Sequence, residues 1–496
     1  MNFKLNKLVA AALASTALMG FGNTAIADTT DDIVNALMAK GILTEEEGAL
    51  LMRGRTGEKE AAEKKKETGI SAKYKDGVVL ESGDGKNSLS LNGRVHADFR
   101  SFNYNEDDNG SNVLSNTGAD TFDIRRARLG AKVKFLDYYE GEIVGNFSGN
   151  GTTNTNSTLD IAYLNIAWWK PVQFRFGQFK MPFSLEQLTS SNNIDFIERS
   201  FVDSYIPAKE IGAMVHGSPF TGVTYGLAAS TGRGQNNIEN DVRVDGVDII
   251  GRATVNFAEI MENKDMVLHG GLAFSQGGIS KGDGNAAFGG NRATEARGAS
   301  FFTAPIVSSI NLADANIDRS RIGLETALAY GPFKVQGQYS KSGFDFNTAT
   351  RGYDVDVKTW YLQALWTISG EKHADRYKNG AFGALKPTNN FDPTNFSGGA
   401  WEVGARYSKF DASDFNTLGL RAGAGLDPQV STGANQFTEA DAWTVGLKFV
   451  PNAHIRFMLD YVNTDFEKRI GASTVTVNGD SEKDEKALLL RTQLTF

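Results

Sequence analysis

The chain has 496 residues, with 54 glycines, 10 prolines and no cysteine, and its formal charge is −8. The absence of cysteine excludes disulfide frameworks, thiolate metal sites and cysteine nucleophiles. A mean hydropathy of −0.31 argues against a bundle of membrane-spanning helices. The acidic balance disfavours nucleic acid as a partner, because neutralising phosphates requires clustered lysine and arginine. Abundant glycine and scarce proline favour one large all-β domain.

Residues 1–27 have the pattern of a secretory signal peptide. Two lysines precede an apolar stretch, residues 8–21, that is too short to span a bilayer, and Ala25-Ile26-Ala27 is a small-x-small cleavage site. Cleavage there gives a mature chain that begins at Asp28 and carries a charge of about −10. A cysteine-free exported chain fits the envelope of a Gram-negative bacterium.

Residues 28–70 differ in composition from the rest of the chain. Thr44 and Glu47 form a capping box that predicts the start of a short helix. Residues 57–68 are a charged, helix-prone run. Two interpretations stay open for this segment, a solvated linker or a periplasmic helix pair or coiled coil that oligomerises. The remaining residues, 71–496, are predicted to form the β domain.

From residue 88 the hydrophobic period becomes two. Apolar side chains occupy most of the odd positions of residues 88–101, and polar side chains occupy all of the even ones. A strand of a soluble sandwich is about 5–6 residues long, whereas a transmembrane β-strand needs about 9–11. The long alternation therefore favours a barrel wall with lipid outside and water inside.

The same pattern recurs along the chain and predicts an all-β fold, a sixteen-stranded antiparallel transmembrane barrel. An even strand number is what bacterial outer-membrane barrels require. The predicted strands are 88–104, 119–135, 138–149, 157–169, 171–180, 209–218, 221–231, 245–258, 264–275, 319–331, 332–343, 354–369, 399–410, 439–450, 453–466 and 484–496.

The connections between these strands alternate in length. Short periplasmic turns and long external loops are typical of outer-membrane barrels. One segment, 370–398, is long although it falls on the short-turn side, so it is a place where a further strand pair could be hidden. The long external connections are 105–118, 181–208, 232–244, 276–318, 411–438 and 467–483.

The segment 488–496 alternates strictly and ends in Phe496. Leucines share one face of it with that phenylalanine, and Arg491 and Gln493 lie on the other face. A strand with a terminal phenylalanine is the usual signal for outer-membrane insertion machinery, so the segment supports the barrel.

Charged residues of the strands must face water, because a charge on the lipid face at the bilayer midplane costs about 2–4 kcal/mol. In strand 119–135, Arg126 and Arg128 lie on one face with Lys132 and Lys134, while Arg125 breaks the alternation and predicts a β-bulge or the edge of the lipid belt. The inward cations have two interpretations, salt bridges with inward carboxylates or weak sequential sites along an anion path.

Residues 177–199 (GQFKMPFSLEQLTSSNNIDFIER) are the most specific local motif. Together with DIRRARLG (123–130), GPFKVQGQY (331–339) and GAWEVGARYS (399–408), they make the chain resemble the phosphate- and polyphosphate-selective porins of Gram-negative outer membranes. The resemblance implies a homotrimer of sixteen-stranded barrels with an N-terminal periplasmic coiled coil. It also implies a third external loop that folds inward and an arginine-lined constriction with one acid.

The resemblance carries over to individual residues. Arg125 and Arg126 match the paired pore arginines, Arg199 closes the third loop, and Arg100 and Asp160 fall where the family has a pore arginine and the pore aspartate. The departures are Gln187, which stands where phosphate-selective members have lysine, and a thinned arginine run in the fifth external loop. The implied constriction residues are Arg100, Arg125, Arg126, Asp160, Lys180, Arg199, Arg292 and Arg297.

These patterns predict a passive outer-membrane channel for anions, most specifically phosphate or polyphosphate, with no cofactor and no enzyme activity. Its expected partners are small anions, outer-membrane lipid and two further copies of itself. The five histidines have no metal-ligand spacing. The alternatives are a general porin with a weak anion preference, a barrel whose long loops mediate adhesion, and a soluble secreted β-protein.

Overall fold

The computed structural model describes a β-barrel chain and leaves parts of its connections undescribed. The predicted signal peptide and most of residues 28–70 lie outside the described residues, as do parts of the external loops. The described residues are 38–40, 44–47, 49, 69–74, 77–104, 119–148, 158–236, 247–280, 291–303, 306–307, 316–347, 352–417, 430–431, 436–470 and 484–496.

The N-terminal unit of the chain comprises Met1–Ile70 and Ser82–Asp84. Its described part contains the predicted capping box. The Thr44 amide donates to Glu47 Oε2 at 2.9 Å, and the Glu47 amide donates to Thr44 Oγ1 at 3.2 Å. These two bonds satisfy amide groups that a helix start leaves without partners.

The second unit, Ser71–Glu81 and Gly85–Phe496, contains the barrel. This unit consists of strands and short helices joined by connections. The strands are β1 (Ile70–Tyr74), β2 (Val78–Ser82), β3 (Ser88–Tyr104), β4 (Thr121–Phe135), β5 (Tyr139–Asn146), β6 (Thr158–Trp169), β7 (Val172–Lys180), β8 (Lys209–Gly217), β9 (Val223–Ser230), β10 (Asp248–Asn256), β11 (Met266–Ser280), β12 (Asn291–Ala293), β13 (Ser300–Thr303), β14 (Ile306–Val307), β15 (Asn316–Tyr330), β16 (Phe333–Asn347), β17 (Gly352–Thr367), β18 (Tyr377–Lys378), β19 (Ala381–Phe382), β20 (Ala400–Asp411), β21 (Val430–Ser431), β22 (Gln436–Asn452), β23 (Ile455–Ile470) and β24 (Asp484–Thr495). The α-helices are Leu185–Leu188, Phe257–Ile260 and Asp414–Thr417, and the 3₁₀-helices are Phe201–Ser204 and Ala374–Arg376.

Sixteen of the described strands form the wall: β3–β11, β15–β17, β20 and β22–β24. Each pairs antiparallel with the next, and β24 pairs back with β3, so that Leu490 lies opposite Phe99 and the sheet is closed. The predicted fold class is therefore confirmed. Among the described residues, no helix has both the length and the apolar character needed to cross a bilayer.

The wall is apolar outside and polar inside. In β24, Leu489, Arg491 and Gln493 are at most 1% exposed, whereas Leu488 and Leu490 are 45% exposed. The same inversion holds in β3, where His96, Asp98 and Arg100 are buried and Leu91 and Val95 are exposed. This is the alternation expected of a barrel in lipid, because the outward face must be apolar over the bilayer core.

The predicted bulge at Arg125 is confirmed. In the β3–β4 pair, His96 lies opposite Arg126 and Ala97 lies opposite Ile124, so Arg125 is an extra residue without a partner in the ladder. A bulge of this kind places two successive side chains on one side of the strand. Arg125 and Arg126 consequently both reach the barrel interior.

The segment 370–398 does not contain a hidden pair of wall strands. In this fully described segment the only strands are the two-residue β18 and β19, which pair with each other. Phe382 and Leu385 are buried, and the Lys334 ammonium of β16 lies 4.2 Å from the Phe382 ring centroid. The segment therefore folds back against inward-facing residues at the short-turn end of the barrel.

Candidate functional site

Residues 181–208, which we call the inner loop, cross the interior of the barrel. The Leu185 amide donates to Glu325 Oε2 of β15 at 2.7 Å, and Arg94 of β3 donates to Ser191 Oγ at 3.0 Å. The Ile197 amide donates to Asp460 Oδ2 of β23 at 2.6 Å. Because these wall strands lie on different sides of the barrel, the loop divides the lumen.

Two phenylalanines fix the height of the inner loop by packing against wall glycines. Phe183 and Phe196 are 1% and 2% exposed. A Cβ on Gly323 would lie 2.9 Å from the Phe183 ring, and a Cβ on Gly446 would lie 2.9 Å from the Phe196 ring. Both distances are too short for carbon atoms, so these glycines are sockets for the loop.

A second insertion comes from the fifth external connection. We call residues 291–303, which include β12 and β13, the inner hairpin. Its buried Glu295 accepts hydrogen bonds from Arg406 Nη2 at 2.6 Å and from the Phe201 amide of the inner loop at 2.8 Å. The inner hairpin and the inner loop are thus held by one carboxylate.

An apolar cluster fills the lumen beside β16–β24. Phe301 and Phe302 of the inner hairpin pack against Phe410, and their ring centroids lie 5.1 and 5.4 Å from that of Phe410. Tyr205 and Phe201 of the inner loop belong to the same cluster. The part of the interior that suits hydrated ions is therefore the polar side, next to β3–β9.

Cations gather on that polar side where the inner loop meets β4 and β24. Arg125 Nε donates to Glu198 Oε1 at 2.7 Å, and Arg491 Nη2 lies 3.0 Å from the same oxygen. Burial raises the pKa of Glu198, but the two guanidinium groups outweigh it and hold that pKa well below its usual range. Glu198 is therefore a fixed negative charge between the two arginines.

Arg126 is the cation with the least compensation in this cluster. It is 5% exposed and forms no ion pair with any described carboxylate, and its Nε has no hydrogen-bond partner. Its Nη1 lies 3.4 Å from His96 Nδ1. Arg125, Arg199 and Arg491 are close enough to repel it electrostatically. An anion placed here would relieve an uncompensated buried charge.

Asp160 is the carboxylate of β6 that faces this cluster. Its side chain is 2% exposed, it accepts a short hydrogen bond from Lys209, and it lies 2.8 Å from Arg128 Nη1. Arg94 also interacts with it electrostatically. One aspartate therefore partly neutralises three cations.

The other residues predicted for the constriction occupy varied positions. Arg199 donates to the carbonyl groups of Glu186 and Thr189, each at 3.2 Å, and stays near the Arg126 cluster. Arg100 and Arg297 both interact with Asp123, at 2.7 and 3.6 Å. These three arginines lie along the external side of the polar lumen.

Two predicted residues are engaged in holding the inner loop. Lys180 Nζ donates to the carbonyl oxygens of Leu188 and Thr189 at 3.2 and 2.9 Å. The Arg292 guanidinium lies 4.2 Å from the Tyr205 ring centroid. Their charges face protein groups. These two residues therefore affect the ion path indirectly, by holding the inner loop in position.

Sequence reasoning did not identify Lys209, Glu198 or the interior partners of Arg491. Lys209 is the first residue of β8, and strand alternation alone does not distinguish it from other strand ends.

Among the described residues, no group of histidine, aspartate and glutamate side chains has the arrangement of a metal site.

The chain is similar to several known proteins. The family model described as phosphate-selective porin O and P matches residues 89–496. Porin O of Pseudomonas aeruginosa is 25% identical over 456 residues, which are 86% of this chain and 92% of that protein. Among solved structures, a loop-deletion form of OmpT of Vibrio cholerae is 10% identical, with a TM-score of 0.45 and coverage of 83% of this chain and 100% of that one. The channel DcaP of Acinetobacter baumannii is 12% identical, with a TM-score of 0.44 and coverage of 83% and 97%.

Proposed function

This chain belongs to the phosphate-selective porin O and P family, and from that premise we propose that it conducts phosphate or polyphosphate passively through the polar side of its lumen. It is an anion-selective channel of the Gram-negative outer membrane rather than an enzyme. The proposal concerns the solute and the residues that select it. The observation that carries it is the buried, unpaired guanidinium of Arg126 among further arginines.

The proposed path follows the cations from the external side inward. Arg100 and Arg297 attract the anion, and Arg125, Arg126 and Arg199 replace part of its hydration at the narrowest point. Guanidinium groups suit phosphate because their planar fork donates two charge-assisted hydrogen bonds. Conduction also requires that the ion leave, so the sites must stay weak. Lys180 and Arg292 contribute by fixing the inner loop.

We propose that Asp160 keeps the anion sites weak. It takes up charge from Arg128 and Lys209, so fewer cations remain for the solute. We expect Asp160→Asn to strengthen the block of chloride current by phosphate by about 10-fold, or about 1.4 kcal/mol, because loss of the carboxylate leaves Arg128 and Lys209 to attract the anion. Planar-bilayer recordings with millimolar phosphate measure this. Asp137→Asn, at the exposed turn after β4, is the control, and an equal change in both variants would contradict the role of Asp160.

Glu186 of the inner loop makes the selectivity depend on pH. Burial raises its pKa to about 7 although Arg406 lies 3.6 Å from its Oε1. Below pH 7 the loop therefore carries one negative charge less. We expect the chloride-to-potassium permeability ratio to be higher at pH 6 than at pH 8, and Glu186→Gln to remove most of the difference.

The same group has a consequence for stability. Because the pKa of Glu186 is higher in the folded protein than its ordinary 4.5, the stabilisation from its protonated form is complete below pH 4.5 and is lost as the pH rises through 7.

Reversal potentials in a KCl gradient, measured for the wild type and Glu186→Gln at pH 6 and at pH 8, test the predicted change in selectivity. A wild-type ratio that does not change between pH 6 and 8 would exclude the pH effect.

A general porin with a weak anion preference is the second candidate. It is favoured by the ion pairs of Arg100, Arg125 and Arg128, each within 2.8 Å of a carboxylate, because such pairs reduce the charge offered to a solute. High chloride conductance with no block by phosphate would select this candidate over the phosphate channel.

We also propose the organisation that the sequence implies for the rest of the protein. Residues 1–27 are removed, residues 28–70 form a periplasmic helical segment, and three copies assemble in the membrane. Intact mass of the exported protein tests cleavage before Asp28. Electrophoresis of unheated and heated samples tests the trimer, which would be excluded by migration of the native barrel as a monomer.

A further inference from the structure

A cavity of about 210 Å³ lies beneath the inner loop. Its walls are β3, β23 and β24, the loop residues Asn192 and Asn193, and the segment 384–386. The turn at Ala453 and His454, on the short-turn rim, also lines it. The cavity therefore belongs to the periplasmic side of the lumen. Since a water molecule occupies about 30 Å³ in the liquid, it has room for a tetrahedral oxyanion with water.

The lining carries positive charge without carboxylate side chains. Arg94, Arg456 and Lys386 line the cavity together with Phe496, and none of its described lining residues is an aspartate or a glutamate. Arg456 is 4% exposed, and its guanidinium donates only to neutral acceptors: the carbonyl of Asn192, Asn193 Oδ1 at 3.4 Å and the carbonyl of Leu385 at 3.4 Å. Arg94 donates to Ser191 Oγ. Neither arginine forms an ion pair with a described carboxylate, although Asp160 attracts Arg94 electrostatically.

The two carboxylates that attract Arg456 electrostatically accept hydrogen bonds from other cations. Glu402 and Asp195 interact with it electrostatically. Glu402, however, accepts hydrogen bonds from Arg376 and from Lys448, the latter at 2.7 Å. Asp195 accepts one from Lys334 at 2.6 Å. A buried cation without its own counter-charge is unfavourable, and a bound anion removes that penalty.

Two residues that line the cavity each have a buried amide atom without a hydrogen-bond partner among the described residues. These atoms are Nδ2 of Asn92 and Oε1 of Gln493, a residue that is 1% exposed. Buried polar groups are nearly always satisfied in native proteins, so unsatisfied ones beside a cavity indicate an occupant that can donate and accept. Hydrogen phosphate has both capacities.

We infer that this cavity is a second oxyanion site, open to the periplasm and separate from the proposed constriction. A small oxyanion bridges Arg94 and Arg456 and accepts from the Asn92 amide, while a protonated oxygen donates to Gln493. Bound there, the anion ties the underside of the inner loop to the wall. The site does not depend on which solute the channel conducts.

Equilibrium dialysis of detergent-solubilised protein against radiolabelled inorganic phosphate tests the inference. Arg126→Ala removes the proposed constriction site, and we expect it to keep one saturable equivalent per chain. Arg126→Ala combined with Arg456→Gln is expected to bind phosphate at least 10-fold more weakly. Unchanged binding in the double variant would overturn the inference. Unchanged binding in the single variant relative to wild type would instead contradict the constriction proposal, so the two failures are distinguishable.

A second variant guards against a change in folding. Asn92→Asp keeps the shape of the side chain and places a negative charge in the cavity, so combined with Arg126→Ala it is expected to lose the same equivalent. Repeating the dialysis in nanodiscs of phosphatidylcholine and of anionic phosphatidylglycerol distinguishes free phosphate from a lipid headgroup. Equal binding in both supports a free oxyanion, and reduced binding in the anionic discs would assign the site to lipid and overturn the inference.

Discussion

Replacing Arg126 with alanine is expected to weaken the block of chloride current by phosphate about 10- to 100-fold. A hydrogen bond to a charged group is worth about 1.5–3 kcal/mol, and Arg126 is the buried arginine of the cluster that forms no ion pair with a described carboxylate. The loss should appear in the apparent affinity for phosphate more than in the chloride conductance, because Arg125 and Arg199 remain to attract anions.

The matched control is Lys134→Ala in the same strand. Lys134 is paired with Asp137 at 2.8 Å near the opposite, short-turn end of β4, so its removal leaves the cluster intact. Single-channel recordings of wild type and both variants, with and without millimolar phosphate, measure the effect. If the two variants lose phosphate block to the same extent, the local role of Arg126 is wrong and only the total charge of the lumen matters.

Gly446→Val is expected to raise the single-channel conductance several-fold and to lower anion selectivity. The added Cβ would lie 2.6 Å from Asp460 Oδ1 and 2.9 Å from the Phe196 ring, so it displaces both contacts of the inner loop. Overpacking of this kind costs about 1–3 kcal/mol. Displacement of the inner loop relieves this steric overlap at the lowest energy, because the wall is held by backbone pairing on both sides of β22. A displaced loop widens the lumen and separates Glu198 and Arg199 from β4.

Gly270→Val is the control for this substitution. Gly270 lies in β11, and a Cβ there has no neighbouring atom within 4 Å. It introduces the same side chain into a wall strand without touching the inner loop, so its conductance should equal that of the wild type. Equal conductance of all three proteins would show that Phe196 does not hold the loop in place.

The wall could be predicted from the sequence because its signal is local. Alternation of period two along segments such as 88–101 determines which side chains face lipid, and the unmatched Arg125 indicated the bulge that the β3–β4 register confirms. The predicted count of sixteen wall strands is confirmed. The ambiguous segment 370–398 adds none, because its described strands are two residues long and do not enter the wall.

The interior could not be predicted in the same way, since its contacts join distant parts of the chain. Glu198 pairs with Arg125 at a separation of 73 residues and with Arg491 at a separation of 293. No periodicity links such residues. The paired arginines, Arg199 and Asp160 were named through the family resemblance, whereas the engagement of Lys180 and Arg292 by the inner loop required coordinates.

Arg491 lies on the strand that closes the sheet, and this position orders events during biogenesis. Its guanidinium donates to Asp98 of β3 across the closing seam and to the Ile197 carbonyl of the inner loop. These partners meet only once β24 has paired with β3, so the inner loop gains this anchor after the sheet has closed. Closure of the sheet therefore also completes the attachment of the inner loop, so the seam of the barrel and the shape of its lumen depend on the same side chain.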